Sequence, residues 1–167
     1  EVLSLPVNCK TIGEKAFYRN NISHIRIEKN VTSIGYMAFA ENNITYLTLP
    51  DSLTSLGTRY GESSAFSSNK IRNLTLSKNL TEIPENAFQN NYIESLEIPE
   101  GVLEIKAGAF RNQNSSLTSL KLPKSLRFIE NNAFTNNSLL REVKVYKNTK
   151  IDSSAFDKDC KIEVIDN

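Results

Sequence analysis

The chain has 167 residues, the size of one domain, and its 20 basic and 19 acidic side chains leave a formal net charge of +1. This balance gives no basis for a nucleic-acid partner or for binding to an anionic membrane, and no stretch approaches the roughly 20 apolar residues that a membrane-spanning helix needs. Charged residues make up 23% of the chain and apolar residues 39%, which is ordinary for a folded protein.

The dipeptide Ala-Phe recurs along the chain and marks an internal repeat. Its phenylalanines are Phe17, Phe39, Phe66, Phe88, Phe110, Phe134 and Phe156, and only Phe128 lies outside this register. The steps between them are 22, 27, 22, 22, 24 and 22 residues, so the unit has 22 residues and carries insertions of five and two. A period of this size predicts a solenoid, in which each coil buries its apolar side against its neighbours.

Each unit contains an apolar triplet that predicts one short strand. In chain order the triplets are Ile22-Ile25-Ile27, Ile44-Leu47-Leu49, Ile71-Leu74-Leu76, Ile93-Leu96-Ile98, Leu117-Leu120-Leu122 and Leu140-Val143-Val145, with partial copies at Leu3-Leu5 and Ile162-Val164. The last two members alternate with polar residues, which is the pattern of a half-buried strand. Proline has no N–H to donate and therefore ends four of these strands, at Pro6, Pro50, Pro99 and Pro123.

An aliphatic residue five positions before each phenylalanine belongs to the return path of the coil. These residues are Ile12, Ile34, Ile83, Ile105, Ile129 and Ile151, with Leu56 in that role in the unit of 27 residues. We expect like strands of successive coils to pair in parallel about 4.8 Å apart in one sheet. The return path should fill the interior, with each Phe ring stacked on the next and with little helix.

A short amide side chain recurs three residues after the phenylalanine. The register contains Asn20, Asn42, Asn69, Asn91 and Asn137, with Gln113 and Asp159 in the same place in the other units. An amide at a turn can bond backbone groups, which need partners when they are buried. We therefore predict a structural ladder, bonding each coil and the next one, rather than a ligand site.

The complete unit resembles the BspA-type leucine-rich repeats. The pattern Ile-x-x-Leu-x-Leu-Pro-x-x-Leu-Thr-x-Ile-x-x-x-Ala-Phe-x-x-Asn covers residues 2–165, and residues 22–42 give a clear copy. The resemblance implies a right-handed leucine-rich-repeat solenoid, β-rich, with one parallel sheet and little helix. It also implies a secreted or cell-surface bacterial protein, and several family members are implicated in adhesion to host matrix proteins or to other cells.

We expect a single domain of about seven coils over residues 1–167, and a fragment of a longer array. The chain opens inside a strand at Val2-Leu3-Ser4-Leu5, without the polar outer face that terminal repeats need. A bare end coil can also pair with another copy through its strand edge, so end-to-end self-association is expected.

Catalytic and metal-binding chemistry finds little material in this sequence. His24 is the single histidine and should point from its strand into solvent, with Arg26 and Glu28 as neighbours and no nucleophile motif beside it. Cys9 is predicted as a small buried hydrophobe, and Cys160 lies too many coils away for a disulfide or a shared zinc ion. Neither the acidic residues near the end of the chain nor those of residues 94–104 have the spacing of a calcium loop or a catalytic pair. We therefore expect no enzyme activity, no metal and no cofactor.

The outward positions of the sheet are the simplest candidates for binding a partner. One row contains His24, Tyr46, Asn73, Ser95, Ser119 and Glu142, and the other contains Arg26, Thr48, Thr75, Glu97, Lys121 and Lys144. The five-residue insertion adds Arg59 and Tyr60, on a loop where function often concentrates. Two hypotheses remain open: a module that binds a protein or glycan, with host extracellular matrix among the candidates, or a rigid spacer that displays other domains.

Overall fold

The computed structural model describes residues 1–57 and 63–166. The insertion predicted as a binding loop, with Arg59 and Tyr60, lies outside these residues. The described part contains fifteen strands and no α-helix, so it holds no helix that could cross a membrane.

Each coil contributes one strand at the triplet and a second, shorter strand at the return-path aliphatic. In chain order the strands are β1 Val2–Ser4, β2 Thr11–Ile12, β3 His24–Arg26, β4 Ser33–Ile34, β5 Tyr46–Thr48, β6 Ser55–Leu56, β7 Asn73–Thr75, β8 Glu82–Ile83, β9 Ser95–Glu97, β10 Glu104–Ile105, β11 Ser119–Lys121, β12 Phe128–Ile129, β13 Glu142–Tyr146, β14 Lys150–Ile151 and β15 Lys161–Ile165. The odd-numbered strands form the predicted parallel sheet, and the structure confirms a parallel-strand solenoid of about seven turns.

The even-numbered strands form a second ladder that the sequence analysis did not predict. It runs in parallel through β2, β4 and β6 and again through β8, β10, β12 and β14. Ile34 pairs with Leu56, which confirms that Leu56 takes the aliphatic place in the 27-residue unit. Each of these strands has only two residues, which is too short for an alternating pattern to be visible in the sequence.

The phenylalanines form a continuous stack through the interior, as predicted. Successive ring centroids lie 5.1 to 5.8 Å apart, and the ring planes are within 12° of parallel. The five central rings are completely buried, whereas Phe17 and Phe156 at the two ends of the stack are half-buried. The Phe backbone N–H also donates to the Ala carbonyl of the next coil, for example Phe66 N to Ala87 O at 2.9 Å. Ring stacking and backbone pairing therefore join the coils along the same line.

The amide ladder is confirmed, with a correction to its direction. Asn91 donates to the carbonyl of Phe88 in its own coil and to that of Phe66 in the preceding coil, both at 3.0 Å. Its Oδ1 accepts from the backbone N–H of Ile71 at 3.0 Å, also in the preceding coil. Asn42, Asn69 and Asn137 make the same set of contacts toward the preceding coil. The bonds thus run backward along the solenoid rather than forward to the next coil.

Three members of the predicted amide register behave differently. Gln113 reaches the carbonyl of Phe88 at 2.9 Å and the N–H of Ile93 at 3.3 Å, so the longer side chain keeps the ladder in the coil with the two-residue insertion. Asn20, in the first coil, is exposed. The prediction of Asp159 in the last coil was wrong. The carboxylate of Asp157 accepts the N–H groups of Asn136 and Asn137 there, because it follows Phe156 directly and faces the preceding coil.

Left-handed backbone conformations recur two residues before and two residues after the phenylalanine. In the first two coils these positions hold Lys15, Arg19, Met37 and Glu41, with φ between 52° and 56°. In later coils they hold mostly asparagine or glycine, namely Asn86, Asn90, Gly108, Asn112, Asn132 and Asn136. Asparagine and glycine tolerate this conformation best, so the same turn costs less in the later coils.

Candidate functional site

The side chains of the odd-numbered strands that point away from the core form the outward face. Both predicted rows lie on it, and all of their members are exposed: His24, Tyr46, Asn73, Ser95, Ser119 and Glu142 in one, and Arg26, Thr48, Thr75, Glu97, Lys121 and Lys144 in the other. The structure therefore places every predicted sheet-face residue on one surface, as the strand alternation requires.

The strands beneath the outward face pair two by two. β1 pairs with β3, β5 with β7, β9 with β11, and β13 with β15, and no ladder joins one pair to the next. Between β7 and β9, for example, Tyr92 N still donates to Ile71 O at 2.9 Å ahead of the strands, and the two strands then continue without ladder bonds. The sheet is thus interrupted at every second coil.

A cleft opens on the outward face at each of the three interruptions. The first cleft, between β3 and β5, has a volume of about 330 Å³ and is lined by Arg26, Tyr46, Thr48 and Pro50. The middle cleft, between β7 and β9, has about 640 Å³ and a wall formed by Thr75, Ser95 and Glu97. The last cleft, between β11 and β13, has about 420 Å³ and includes Ser119, Lys121 and Tyr146. These residues are named as the cleft walls.

The floor of each cleft is an aliphatic side chain that the interruption leaves partly exposed. Ile25, Leu74 and Leu120, the inward residues of β3, β7 and β11, are only partly buried and also line the clefts. Leu47 and Leu96, their counterparts on β5 and β9, are 2% exposed. The sequence analysis placed all of these residues in the core and missed this alternation, because the triplets are equally apolar in every coil.

Charge divides the outward face into two halves. In the C-terminal half, ion pairs link neighbouring strands: Glu97–Lys121 at 2.5 Å, Glu142–Lys161 at 3.2 Å and Lys144–Glu163 at 3.8 Å. The hydrogen bond from Glu97 and its negative charge raise the pKa of Lys121. Exposed pairs of this kind contribute little to stability, and they leave these charges already matched within the chain.

The N-terminal half of the outward face is mainly aromatic and hydroxyl-bearing. Tyr46 is 63% exposed, and Thr48 and Thr75 lie in the second row beside it. The nearest charge is Arg26, which lies 3.6 Å from Glu28. Tyrosine and arginine are the side chains that most often anchor protein interfaces. This half therefore combines an aromatic group and a cation with little competing charge.

The residues suited to covalent or metal chemistry are not assembled into a catalytic group. His24 Nδ1 lies 2.9 Å from Ser23 Oγ, and both side chains lie at the exposed end of the outward face. Cys9 and Cys160 are free and half-buried, so Cys9 packs against the core but is less buried than predicted. Within residues 1–57 and 63–166 no group of three potential metal ligands occurs.

A further cleft lies along the second ladder, away from the outward face. Its volume is about 490 Å³, and its wall includes Phe128, the one phenylalanine outside the repeat register. Phe128 is 42% exposed, and Lys150 Nζ lies 5.5 Å from the centre of its ring. Lys106 pairs here with Glu104 and, at 3.2 Å, with Glu130, and these carboxylates raise its pKa. The departure of Phe128 from the register was the sequence signal for this exposed ring.

Two solved structures share the fold of the chain. A leucine-rich repeat protein from Bacteroides ovatus is 21% identical and aligns over 98% of this chain and 54% of its own, with a TM-score of 0.57. The pneumococcal vaccine antigen PcpA is 24% identical and aligns over 93% of this chain and 46% of its own, with a TM-score of 0.55. The chain thus spans about half the length of each. At these identities the likeness concerns the fold alone.

The repeat itself matches a described family. No curated protein matches the chain. The model of the BspA type leucine rich repeat region, in six copies, matches over residues 1–113 and 60–166, which together cover nearly the whole chain. With the stacked phenylalanines and the parallel coils already described, this match establishes that the chain belongs to the BspA-type leucine-rich repeat family.

Proposed function

We propose that the chain is a non-catalytic interaction module of a cell-surface or secreted bacterial protein, and that it binds a protein or glycan partner through its outward face. The observation that carries the proposal is the set of three clefts, each with an aliphatic floor, on an otherwise regular solenoid. Exposed apolar groups that a packed sheet would cover are a common feature of binding surfaces. The stacked interior holds these clefts at fixed positions.

Membership of the BspA-type family supports the surface location and an adhesin-like role. The resemblance implies secreted or surface-exposed bacterial proteins with adhesive functions. One protein of the same fold is described as a pneumococcal vaccine antigen. Host extracellular matrix proteins and glycans are accordingly the first partners to test.

The absence of enzyme activity is part of this proposal. A catalytic triad needs a histidine held by a third group while it activates a nucleophile. Ser23 lies beside His24, but the exposed end of a sheet face excludes no water from the pair. The prediction is that hydrolase and transferase assays stay at background, and turnover that disappears in His24→Ala would contradict it.

A second candidate function, a rigid spacer, is supported by the continuous interior. The seven-ring stack and the amide ladder join every coil to its neighbour, so the chain is stiff along the stacking direction. A spacer needs this stiffness and no outward clefts. The two functions therefore differ in whether variants of the outward face change binding.

The test is a binding array of purified matrix proteins and glycans, read by surface plasmon resonance. The double variant Arg26→Ala/Tyr46→Ala should weaken binding about tenfold or more, since it removes two anchors of the first cleft. The matched control, Arg127→Ala/Phe128→Ala on the second ladder, should bind as the wild type does. Arg26→Ala/Lys121→Ala and Arg59→Ala/Tyr60→Ala test the other predicted residues. Equal binding by all variants would refute the outward face as the site.

A further inference from the structure

We propose that the three clefts act together and bind a polypeptide in the polyproline II conformation that carries an apolar side chain at every third residue. This inference rests on the proposed function and names the chemical class of the partner. It follows from three features of the outward face: the spacing of the clefts, their aliphatic floors, and the hydroxyl groups along their walls.

The spacing of the clefts matches the repeat of a polyproline II chain. Successive clefts are two coils apart, and parallel strands lie about 4.8 Å apart, so the clefts repeat at about 9.6 Å along the stack. A polyproline II chain rises about 3.1 Å per residue with three residues per turn, so every third side chain points the same way at about 9.3 Å. An extended β-strand presents same-side residues about 6.6 Å apart, so its side chains would miss two of the three clefts.

The floors of the clefts explain the preference for apolar side chains at those positions. Ile25, Leu74 and Leu120 are each partly exposed inside a cleft, and they recur at the same two-coil interval. Covering such surface with a proline or leucine side chain is favourable by about 25 cal/mol per Å² of apolar area buried. One side chain in each cleft would restore the burial that the interruptions of the sheet remove.

The walls of the clefts offer hydrogen-bond donors that the chain does not use. The hydroxyl groups of Tyr46, Thr48, Thr75, Ser95 and Ser119 are exposed and make no hydrogen bond within the part of the chain that the structure describes. A polyproline II chain has no internal hydrogen bonds, so its carbonyl oxygens are free to accept from these donors. Aromatic side chains are typical of surfaces that bind such chains, and Tyr46 and Tyr146 lie in the first and last clefts.

An amphipathic helix is the occupant that this proposal rejects. Its residues seven apart repeat at about 10.5 Å, which is also close to the spacing of the clefts. Its backbone carbonyls are already bonded within the helix, however, so the hydroxyls of the cleft walls would remain without partners. A helical ligand is therefore included in the test as an outcome that would refute the proposal.

The test is a fluorescence anisotropy titration of the whole chain with a labelled peptide of four Leu-Pro-Pro units. We expect saturable binding in the micromolar to millimolar range. A peptide of the same composition, with its leucines at irregular intervals, should bind at least about tenfold more weakly because only one side chain at a time can enter a cleft. Absence of binding at about 1 mM, equal binding of the scrambled peptide, or preference for a leucine heptad helix would each refute the proposal.

A pair of variants locates the binding in the clefts. Thr75→Trp fills the middle cleft and should weaken binding of the Leu-Pro-Pro peptide about tenfold. Ser4→Trp places the same ring in the same row on β1, where no cleft opens, and should change binding less than twofold. Both positions are exposed, so folding should survive, and circular dichroism verifies it. Equal effects of the two variants would refute the assignment.

The two proposals fail in different ways. If Arg26→Ala/Tyr46→Ala abolishes binding on the matrix array while the Leu-Pro-Pro peptide does not bind the wild type, the outward face remains the site and the polyproline II inference is wrong. If array binding is instead unaffected by any outward-face variant, the proposed function itself is wrong.

Discussion

The interior of the solenoid and its outward face follow opposite rules. In the interior the same residue type occupies the same place in coil after coil, so that Phe lies on Phe and Asn bonds backbone at each turn. On the outward face the equivalent positions change from His24 and Tyr46 to Ser95 and Glu142, and the supporting strands are interrupted at every second coil. The comparison teaches that stability comes from repetition along the stack, whereas recognition depends on the positions that repetition leaves free.

The largest effect is expected from breaking the interior stack at its centre. Phe88 is completely buried between Phe66 and Phe110, so Phe88→Ala removes ring contacts on both sides and leaves a cavity. We expect a loss of about 4 kcal/mol in the free energy of unfolding, measured by urea denaturation. The exposed ring of Phe128 is the matched control, and Phe128→Ala should cost less than about 1 kcal/mol. Similar costs for both would contradict the role given to the stack.

The amide ladder should give the next largest effect. Asn91→Ala leaves the carbonyls of Phe66 and Phe88 and the N–H of Ile71 without their side-chain partner in a buried turn. Unpaired buried groups of this kind cost about 1–3 kcal/mol each, and we expect a total of about 3 kcal/mol by the same denaturation measurement. Asn20→Ala, at the exposed position of the first coil, should cost only a few tenths of a kcal/mol. An Asn91→Ala variant as stable as the wild type would show that the ladder is dispensable.

The approach of successive coils at a pair of equivalent glycines offers a sharper test. A Cβ added to Gly35 would lie 2.6 Å from the backbone nitrogen of Glu14 in the preceding coil, whereas one added to Gly13 meets nothing within 4 Å. We expect Gly35→Ala to cost about 2 kcal/mol and Gly13→Ala to be neutral or slightly stabilising. Thermal unfolding of the two variants side by side checks this. A neutral Gly35→Ala would mean that the coils are less closely packed.

A small stabilisation is expected from giving the first coil the turn residue of the later ones. Lys15 has φ 53°, and Asn86 and Asn132 occupy the same turn position with φ 55° and 56°. Lys15→Asn should therefore stabilise the chain by about 0.5 kcal/mol, because asparagine tolerates the left-handed region better than lysine. Lys10→Asn, an exposed lysine outside the left-handed region, serves as the control and should show no gain. An equal gain in both variants would point to charge rather than to backbone conformation.

The smallest expected effect concerns an exposed polar cluster outside the stack. Arg19 and Tyr18 donate hydrogen bonds to Glu41, at 2.7 and 2.9 Å, and these bonds hold the pKa of the Glu41 carboxyl below its usual value. A lowered folded-state pKa stabilises the fold above the unfolded-state pKa, and the contribution is lost as pH falls through the lowered one. An NMR titration of Glu41 should show the low midpoint, and Arg19→Ala should raise it. An unshifted midpoint would show that the bonds do not persist in solution.

The repeating features could be predicted from the sequence because each was visible several times over. The phenylalanine register and the amides at Asn42, Asn69, Asn91 and Asn137 fixed which side chains meet inside the coil. The exchange of Asp157 for Asp159 was missed because the last coil departs from the period. The direction of the amide bonds was not visible either, since a spacing does not say which neighbour a side chain reaches.

The interruptions of the sheet could not be predicted because nothing local marks them. The triplets around Leu47 and Leu74 are the same in character, yet one side chain is buried and the other forms a cleft floor. The difference depends on how successive strands pair, which is a property of the whole stack and not of one coil. The outward rows themselves followed directly from strand alternation, but their clefts required the structure.

Chemical-shift mapping with the Leu-Pro-Pro peptide tests most directly whether recognition is confined to the outward face. In the isotope-labelled chain, the account predicts that amide shifts change in β3 and β5, β7 and β9, and β11 and β13, the strands that flank the three clefts. Strands of the second ladder, including β12 with Phe128, should keep their shifts. Changes centred on the second ladder, or spread evenly over the chain, would contradict the account.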